Sequence, residues 1–295
     1  MKKLIKPFCL LLTAGAFLVA SCSDDDDNNA IDYDTLTLNF NGLENLGDDF
    51  VYEGWIIVDG SPISTGTFTV DDDGVLSENS FQIEDDVLDA ATTFVLSIEP
   101  AVDSDPAPAD TKILVGDFSD DSASLSTAIV GDFTGASGVF ILRTPTDEAD
   151  GMNNGNDENG VWFVDPSGTN SPALDLPELP DGWKYEGWVV ADEGPLTTGT
   201  FTAFDVADDA NPYSGSEANP SFPGEDFFMN APSGFTFPLD VRERTVVISV
   251  EPDPDNSAAP FTLKPLVGTA GTATAPETHS LGLNLSSLPT GTASR

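Results

Sequence analysis

The chain has 295 residues, and its 51 acidic residues against 10 lysines and arginines give a formal net charge of −41 at pH 7. A surface of this sign repels nucleic acids, so we expect no nucleic-acid partner. The chain has two cysteines and one histidine, which are too few residues to favour a disulfide framework, a His/Cys metal site or Ser-His-Asp catalysis.

The first segment has the pattern of a secretory signal. Lys2, Lys3 and Lys6 precede an apolar run over residues 7–19, which is too short to cross a bilayer. The run ends in the letters VASC, which resemble the lipobox of bacterial lipoproteins, where the cysteine is acylated. We therefore expect a lipoprotein signal peptide over residues 1–21 and a lipid anchor at Cys22 that holds the protein on a membrane.

An acidic stretch, SDDDDNN, follows Cys22. A run of like charge is typical of a solvated tether, and we expect residues 22–33 to form one. Directly after a lipobox cysteine, the run also resembles the export signal of Bacteroidota lipoproteins. This resemblance implies a lipid-anchored protein of the outer membrane that is exposed at the cell surface, with a plain linker as the alternative.

Much of the remaining chain is an internal duplication. The letters YEGWIIVDGSPISTGTFT at residues 52–69 correspond to YEGWVVADEGPLTTGTFT at residues 185–202, at a constant offset of 133. Further on, TFVLSIEP at residues 93–100 corresponds to TVVISVEP at residues 245–252, at an offset of 152. The extra residues fall in 203–240, where prolines and glycines predict a loop. A period of this length indicates duplication of a whole domain.

Both copies are predicted to consist of β-strands. Runs of β-branched and aromatic residues alternate with turn residues, and after the first segment no window of a dozen residues has the apolar period of a helix. We predict an all-β protein of two tandem antiparallel β-sandwich (Ig-like) modules at residues 34–145 and 160–295, joined by a linker at 146–159. The segment 283–288 is predicted to close a sheet edge.

The motif YEGW, followed by Pro, TGTF and an apolar strand that ends in Glu-Pro, resembles the extracytoplasmic C-terminal domain of anti-sigma-K-factor-like proteins. The resemblance covers residues 50–115 and 184–268. It implies an all-β sensor module outside the membrane. In that family a transmembrane helix joins the module to a cytoplasmic domain that holds a sigma factor. We expect neither part here, so an accessory role in a sigma/anti-sigma system is an alternative rather than the main expectation.

The candidate site residues are those of the repeated motif: Tyr52, Glu53, Trp55, Tyr185, Glu186 and Trp188. Two interpretations of the tryptophans are open. They are either exposed platforms on which sugar rings stack, or core residues whose indole N–H groups are satisfied by nearby acceptors. The second is favoured, because large aromatic side chains contribute much of the area that a core buries.

Carboxylates are also duplicated, because Glu99 and Glu251 end the second repeated strand in the two copies. Together with Glu53 and Glu186 they could form acid–base pairs, so a secreted carbohydrate-active hydrolase is an alternative. Two identical scaffolds in one chain are more common than two identical active sites. We therefore predict a non-enzymatic protein without catalytic residues.

Calcium is the cofactor that the acidic loops favour, because hard cations bind clustered oxygen atoms. Weak candidate ligands are Asp103, Asp105, Asp253 and Asp255, of which Asp103 and Asp255 occupy equivalent places in the two copies. None has the spacing of an EF-hand. We expect no cofactor, with calcium as the alternative. The functional expectation is a cell-envelope lipoprotein that binds or senses an extracellular protein or glycan.

Overall fold

β-Strands dominate the part of the chain that the computed structural model describes, which is residues 31–149, 151–255 and 257–295. The predicted signal peptide, Cys22 and almost all of the predicted tether lie outside these residues. Among the described residues, none of the helices has the length and apolar character that crossing a membrane requires.

The strands of the described residues are β1 (Tyr33–Asn41), β2 (Phe50–Val58), β3 (Ser61–Phe68), β4 (Ser80–Glu84), β5 (Thr93–Pro100), β6 (Lys112–Ser119), β7 (Ser122–Leu125), β8 (Ser137–Ile141), β9 (Gly160–Trp162), β10 (Val164–Asp165), β11 (Ser171–Pro172), β12 (Leu174–Asp175), β13 (Trp183–Ala191), β14 (Gly194–Phe201), β15 (Gly224–Asp226), β16 (Thr245–Pro252), β17 (Leu266–Thr269), β18 (Thr278–Leu283) and β19 (Thr290–Ser294). The helical elements are one short α-helix, α1 (Asp85–Asp89), and 3₁₀ turns at Thr127–Ile129, Pro145–Asp147, Asp157–Asn159 and Leu285–Ser287.

Two large antiparallel sheets confirm the predicted all-β class and the duplication. The strand order is β3-β2-β5-β6-β7-β19-β1-β4 in the first sheet and β14-β13-β16-β17-β18-β8-β9-β15 in the second. Position by position, the repeated strands β2, β3 and β5 match β13, β14 and β16. The strand β12 pairs with β8 at the side of the second sheet, and β10 and β11 form a separate small pair.

The two sheets exchange their sixth strands. In the first half of the chain, β8 follows β7, yet it pairs with β18 and β9 in the second sheet. In the second half, β19 follows β18, yet it pairs with β7 and β1 in the first sheet. Each sheet is therefore completed by a strand from the other copy.

This exchange changes the expected domain boundaries. The strand β8 lies within residues 34–145, the predicted first module, but belongs to the second sheet, and β19 shows the opposite relationship. The segment 283–288 does not close a sheet edge, because it holds the end of β18 and a 3₁₀ turn. The strand that completes the first sheet is β19, and it lies between two neighbours rather than at an edge.

The motif strands β2 and β13 are central strands that lack space for a side chain at one position. A Cβ atom on Gly54 would lie 2.5 Å from Oγ1 of Thr65, and one on Gly187 would lie 2.7 Å from the ring of Phe163. Directly after each glycine the pairing with the next strand shifts at a bulge. Glycine is therefore required where a neighbouring side chain crosses the backbone.

The apolar core is continuous across both copies. One cluster of buried residues includes Leu36 and Phe94 from the first sheet and Val161 and Ile248 from the second. The loop predicted at residues 203–240 is largely irregular but contributes β15, which pairs with β9. A shared core and exchanged strands make the two copies one folding unit over Asp32–Arg295.

Candidate functional site

Each copy of the motif builds the same hydrogen-bonded chain of three side chains, here called the Trp-Ser-Glu relay. In the first copy, the indole N–H of Trp55 donates to Oγ of Ser97 at 2.8 Å, and that hydroxyl donates to Glu99. Trp188, Ser249 and Glu251 repeat the arrangement, with 2.7 Å between the indole nitrogen and the serine oxygen. The serine hydroxyl thus accepts from one partner and donates to the other.

The glutamates of the relay also tie down the loops that follow their strands. The backbone N–H of Ala109 donates to Glu99 at 2.8 Å. At the equivalent place, the N–H of Phe261 donates to both oxygens of Glu251, at 2.9 and 3.1 Å. Each of these carboxyls therefore accepts hydrogen bonds that anchor the backbone of a loop.

The remaining motif residues have matched partners as well. Hydroxyls donate to the motif glutamates: that of Ser64 to Glu53 and that of Thr197 to Glu186. The phenol of Tyr52 donates to the carbonyl of Glu44 at 3.0 Å, and the phenol of Tyr185 donates to the carbonyl of Pro177 at 2.6 Å. The duplicated letters therefore encode a duplicated polar scaffold.

The motif tryptophans lie in the interior, where only 3 % of Trp55 and 2 % of Trp188 is exposed. Of the two interpretations of these tryptophans, the favoured one was that they are core residues, and their burial agrees with it. Trp162 and Trp183 are buried too. An indole that is covered in this way offers no face on which a sugar ring could stack, so none of these tryptophans is a binding platform.

The second copy buries its carboxyls in a setting that changes their acidity. Burial raises the pKa of Glu186 to about 7, against an opposing hydrogen bond from Thr197. Burial also raises the pKa of Glu251 to about 8, and the nearby Glu186 carboxyl contributes to that increase. In the first copy, burial raises the pKa of Glu99 as well.

The four aspartates proposed as calcium ligands are separated in the structure. Asp103 and Asp105 lie in an exposed loop, where the N–H of Asp105 bonds to the carboxylate of Asp103 at 2.8 Å. Asp253 is exposed and lies 3.6 Å from Nζ of Lys184. Asp255 belongs to a group of three acids, because one oxygen from each of Asp255, Glu186 and Glu251 lies within 4.8 Å of the others.

Sequence reasoning missed a second buried polar cluster, in the 203–240 region. The indole of Trp162 donates to Asp226 at 2.8 Å, and the N–H of Thr146 donates to the same carboxyl at 2.8 Å. Beside it, Ser214 donates to Glu225. Burial raises the pKa of Asp226 to about 6 and that of Glu225 to about 8. No repeated motif marks these residues, so the pattern that revealed the relay could not reveal them.

A cleft of about 470 Å³, here called the junction cleft, lies where the two copies meet. Its walls come from residues 44–47, 50, 98, 100 and 109–111 of the first copy and from residues 182, 252–255, 257 and 261 of the second. Its apolar lining consists of Leu46, Phe50, Ile98, Pro100 and Phe261, together with further prolines and Ala109.

Carboxylates dominate the charge of the junction cleft. Glu44, Asp110, Asp253 and Asp255 line it, and no lysine or arginine is found among the described lining residues. Burial raises the pKa of Glu44 to about 7, while the nearby Lys264 lowers it. The cleft thus combines an apolar wall with acidic groups, and this combination suits a ligand that carries an apolar group and a positive charge.

Comparison of the chain with protein-family models, with curated proteins and with solved structures finds no match.

Proposed function

We propose that this protein is a non-enzymatic lipoprotein of the cell envelope whose two β-modules form one extracellular binding or sensing unit. The anchor is Cys22 at the outer membrane, and the acidic stretch after it is the tether that leads to the cell surface. The bound ligand is a segment of another extracellular protein that presents an apolar side chain beside a lysine or arginine.

The observation that carries this proposal is the junction cleft. Its volume of about 470 Å³ falls within the roughly 300–1,000 Å³ that is typical of ligand sites. The apolar wall provides burial. The four lining carboxyls, two of which lie 3.6–4.0 Å from a lysine outside the lining, together provide attraction for a cation. The buried motif aromatics support a scaffold role for the repeat, which leaves the cleft as the surface that contacts the ligand.

Titration with short peptides tests the ligand class. We expect acetyl-Lys-Phe-Lys-amide to shift the backbone NMR signals of cleft residues in the ¹⁵N-labelled protein, and acetyl-Glu-Phe-Glu-amide to leave them unchanged. The variant Asp110→Lys should weaken binding of the basic peptide several-fold, because it places a positive charge in the cleft. Asp121→Lys, a change of the same charge at an exposed turn outside the cleft, is the matched control.

Two results would contradict the proposed ligand. Equal shifts with both peptides would show that the carboxylates do not select the ligand. If chitotriose shifted the NMR signals of cleft residues and neither peptide did, the ligand would be a glycan instead of a protein segment. The location is tested separately. Cys22→Ala should move the protein from the membrane fraction to the soluble fraction. Protease added to intact cells should digest the wild-type protein, because it is exposed at the cell surface, but not the variant.

The alternative function is a hydrolase that uses Glu186 and Glu251. Carboxylate oxygens of the pair lie within 4.8 Å of each other, close to the spacing of roughly 5–5.5 Å in retaining glycosidases. We favour the binding role because Glu251 has no exposed surface, which leaves a sugar ring without access. Hydrolysis of a polysaccharide by the wild type, lost in Glu186→Gln, would establish the alternative.

An accessory role in a sigma/anti-sigma signalling system follows from the resemblance of the motif to anti-sigma-K-factor-like proteins. It is compatible with the binding proposal, because a sensor module outside the membrane acts by binding a partner. Deletion of the chain should then change the transcription of genes that a neighbouring sigma factor controls.

A further inference from the structure

Three carboxylates converge in the second copy at the end of β16. Glu186 comes from the middle of β13, Glu251 from the end of β16, and Asp255 from the loop that follows. One oxygen of each lies within 4.8 Å of the others. The three residues line a small depression of about 220 Å³, next to the junction cleft to which Asp255 also belongs. We call them the carboxylate cluster.

One oxygen in the cluster is buried without a donor. Glu186 exposes 5 % of its surface, and its Oε1 accepts from the hydroxyl of Thr197. Its Oε2 is enclosed and accepts no hydrogen bond from any described residue. A buried carboxylate oxygen without a partner costs free energy, so a group that supplies positive charge at this point stabilises the fold.

Glu251, the other buried glutamate, can bind an ion while it keeps its hydrogen bonds from Ser249 and Phe261. Oε1 of Glu251 accepts from Ser249 and from the N–H of Phe261, whereas Oε2 accepts only the longer contact from the same N–H at 3.1 Å. A carboxylate oxygen has two acceptor positions, so Oε2 keeps one for a further partner. Glu251 lines the depression although none of its surface is exposed, so an ion would bind at the floor of the depression.

The spacing of the oxygens fits one hard divalent cation. Ca–O bonds of roughly 2.3–2.6 Å allow two oxygens on one calcium ion to lie up to about 5 Å apart, and the cluster stays within that limit. Two ionised carboxylates balance the charge of a calcium ion, and the third leaves one negative charge in excess. Because burial raises the pKa of Glu186 and Glu251, the ion binds in competition with their protons. The remaining coordination positions on a calcium ion are commonly filled by water.

Lys184, which lines the depression, is already engaged. Nζ of Lys184 lies 3.1 Å from Asp209 and 3.6 Å from Asp253. Both of these carboxylates belong outside the cluster, and they keep the ammonium group paired on the exposed side. A second lysine, the partly buried Lys264, interacts electrostatically with Glu251 and with Glu44. The three carboxyls of the cluster still outnumber the positive charge near them.

The first copy offers the same residue types without the same geometry. Glu53, Glu99 and Asp103 are the counterparts of Glu186, Glu251 and Asp255 in the duplicated sequence. Among the described residues, only the second set brings three ligand atoms within a common 4.8 Å. The counterparts are thus a built-in control, because they have equal charge but a different arrangement.

We propose that Glu186, Glu251 and Asp255 form a calcium site that is specific to the second copy. The ion bridges the two strands β13 and β16 to the loop that begins at Pro252, and it thereby orders one wall of the junction cleft.

Terbium luminescence tests the site in the full-length protein. Tb³⁺ replaces calcium at oxygen sites, and Trp188, which reaches Glu251 through Ser249, is close enough to sensitise its emission. We expect excitation of tryptophan to produce Tb³⁺ emission that Ca²⁺ displaces with a dissociation constant of roughly 0.1–1 mM, as in extracellular calcium modules. Isothermal titration with Ca²⁺ should give one site per chain.

Matched variants decide the assignment. Glu186→Gln should weaken Ca²⁺ binding at least ten-fold, while Glu53→Gln in the first copy should leave it unchanged. Trp188→Phe should remove the emission but keep the calorimetric site. The proposal is overturned if 10 mM Ca²⁺ gives no binding isotherm, if Glu53→Gln removes the site, or if both glutamine variants bind like the wild type, since the last result identifies non-specific adsorption to acidic loops.

Discussion

The indole nitrogen of Trp188 lies 2.7 Å from Oγ of Ser249, and the same bond joins Trp55 to Ser97 at 2.8 Å. The offset between the tryptophans is 133 residues and that between the serines is 152, so the bond is kept although the second copy has a longer loop between its motif strands. Its persistence indicates that the buried indole needs this acceptor.

Removing the relay serine should therefore destabilise the protein. In Ser249→Ala, the indole N–H of Trp188 loses its acceptor and the carboxyl of Glu251 loses its hydroxyl donor, both inside the core. We expect a loss of about 1–3 kcal/mol in the free energy of unfolding. Urea denaturation followed by tryptophan fluorescence measures it. Ser97→Ala should give a loss of similar size, whereas Ser280→Ala at an exposed position of β18 should change stability little. A neutral Ser249→Ala would mean that water replaces the hydroxyl.

The motif glycine provides a second test of packing. A Cβ atom in Gly187→Ala would meet Oγ1 of Thr198 and, at 2.7 Å, the ring of Phe163. Overpacking of this kind costs about 1–3 kcal/mol, and thermal unfolding measures it as a lower melting temperature. Gly282→Ala is the control, because its nearest atom, the carbonyl oxygen of Val267, is 3.6 Å away. A Gly187→Ala protein as stable as this control would show that the phenyl ring moves aside without cost.

The fold was predictable where sequence was duplicated. The repeated motifs marked the segments that form β2 and β13, and their aromatic and β-branched residues predicted strands there. The exchange of β8 and β19 was not predictable, because an apolar alternation shows that a segment is a strand but not which sheet it joins. The expected boundary near residue 145 failed for that reason.

Prediction of polar sites had a similar limit. Asp255 was proposed as a calcium ligand from the local aspartate cluster, but its neighbours in space are Glu186 and Glu251, which belong to other strands. Glu225 lies in the region where the second copy is longer, so no counterpart in the first copy drew attention to it. Contacts between residues distant in sequence decide both sites, and a pattern read along the chain does not contain them.

The exchanged strand can be tested by removing it. Deletion of residues 290–295 should expose the edges of β7 and β1, so hydrogen exchange should become faster in the first sheet while β8 and β18 stay protected. Without the exchange, β19 would pair with β18, and the deletion would open the second sheet instead. Arg295→Ala is the milder control, because it leaves the strand in place. It removes the contact of the guanidinium with the ring of Phe118 and its bonds to four carbonyls, those of Leu88, Asp89, Ala91 and Asp120.

The buried acids of the 203–240 region predict how stability depends on pH. Burial raises the pKa of Glu225 to about 8, with Asp208 contributing, whereas the donors Ser214 and Tyr213 lower it. Partial burial also raises the pKa of Asp208, to about 7. A carboxyl whose pKa is raised on folding holds more protons in the folded state than in the unfolded state at neutral pH. Its contribution to stability is therefore complete below the ordinary value near 4.5 and is lost as the pH rises towards 8.

Glu225→Gln should flatten this dependence, because its amide stays neutral and its oxygen still accepts from Ser214. Between pH 5 and pH 8, the free energy of unfolding of the wild type should fall, and that of the variant should fall less. The difference between their slopes should be at most about 1.4 kcal/mol per pH unit, which is the contribution of one titrating group. Urea titrations at unit pH intervals measure both slopes. The exposed Asp121→Asn should keep the wild-type slope. Equal slopes for Glu225→Gln and the wild type would mean that water reaches this carboxyl and that the region around β15 opens in solution.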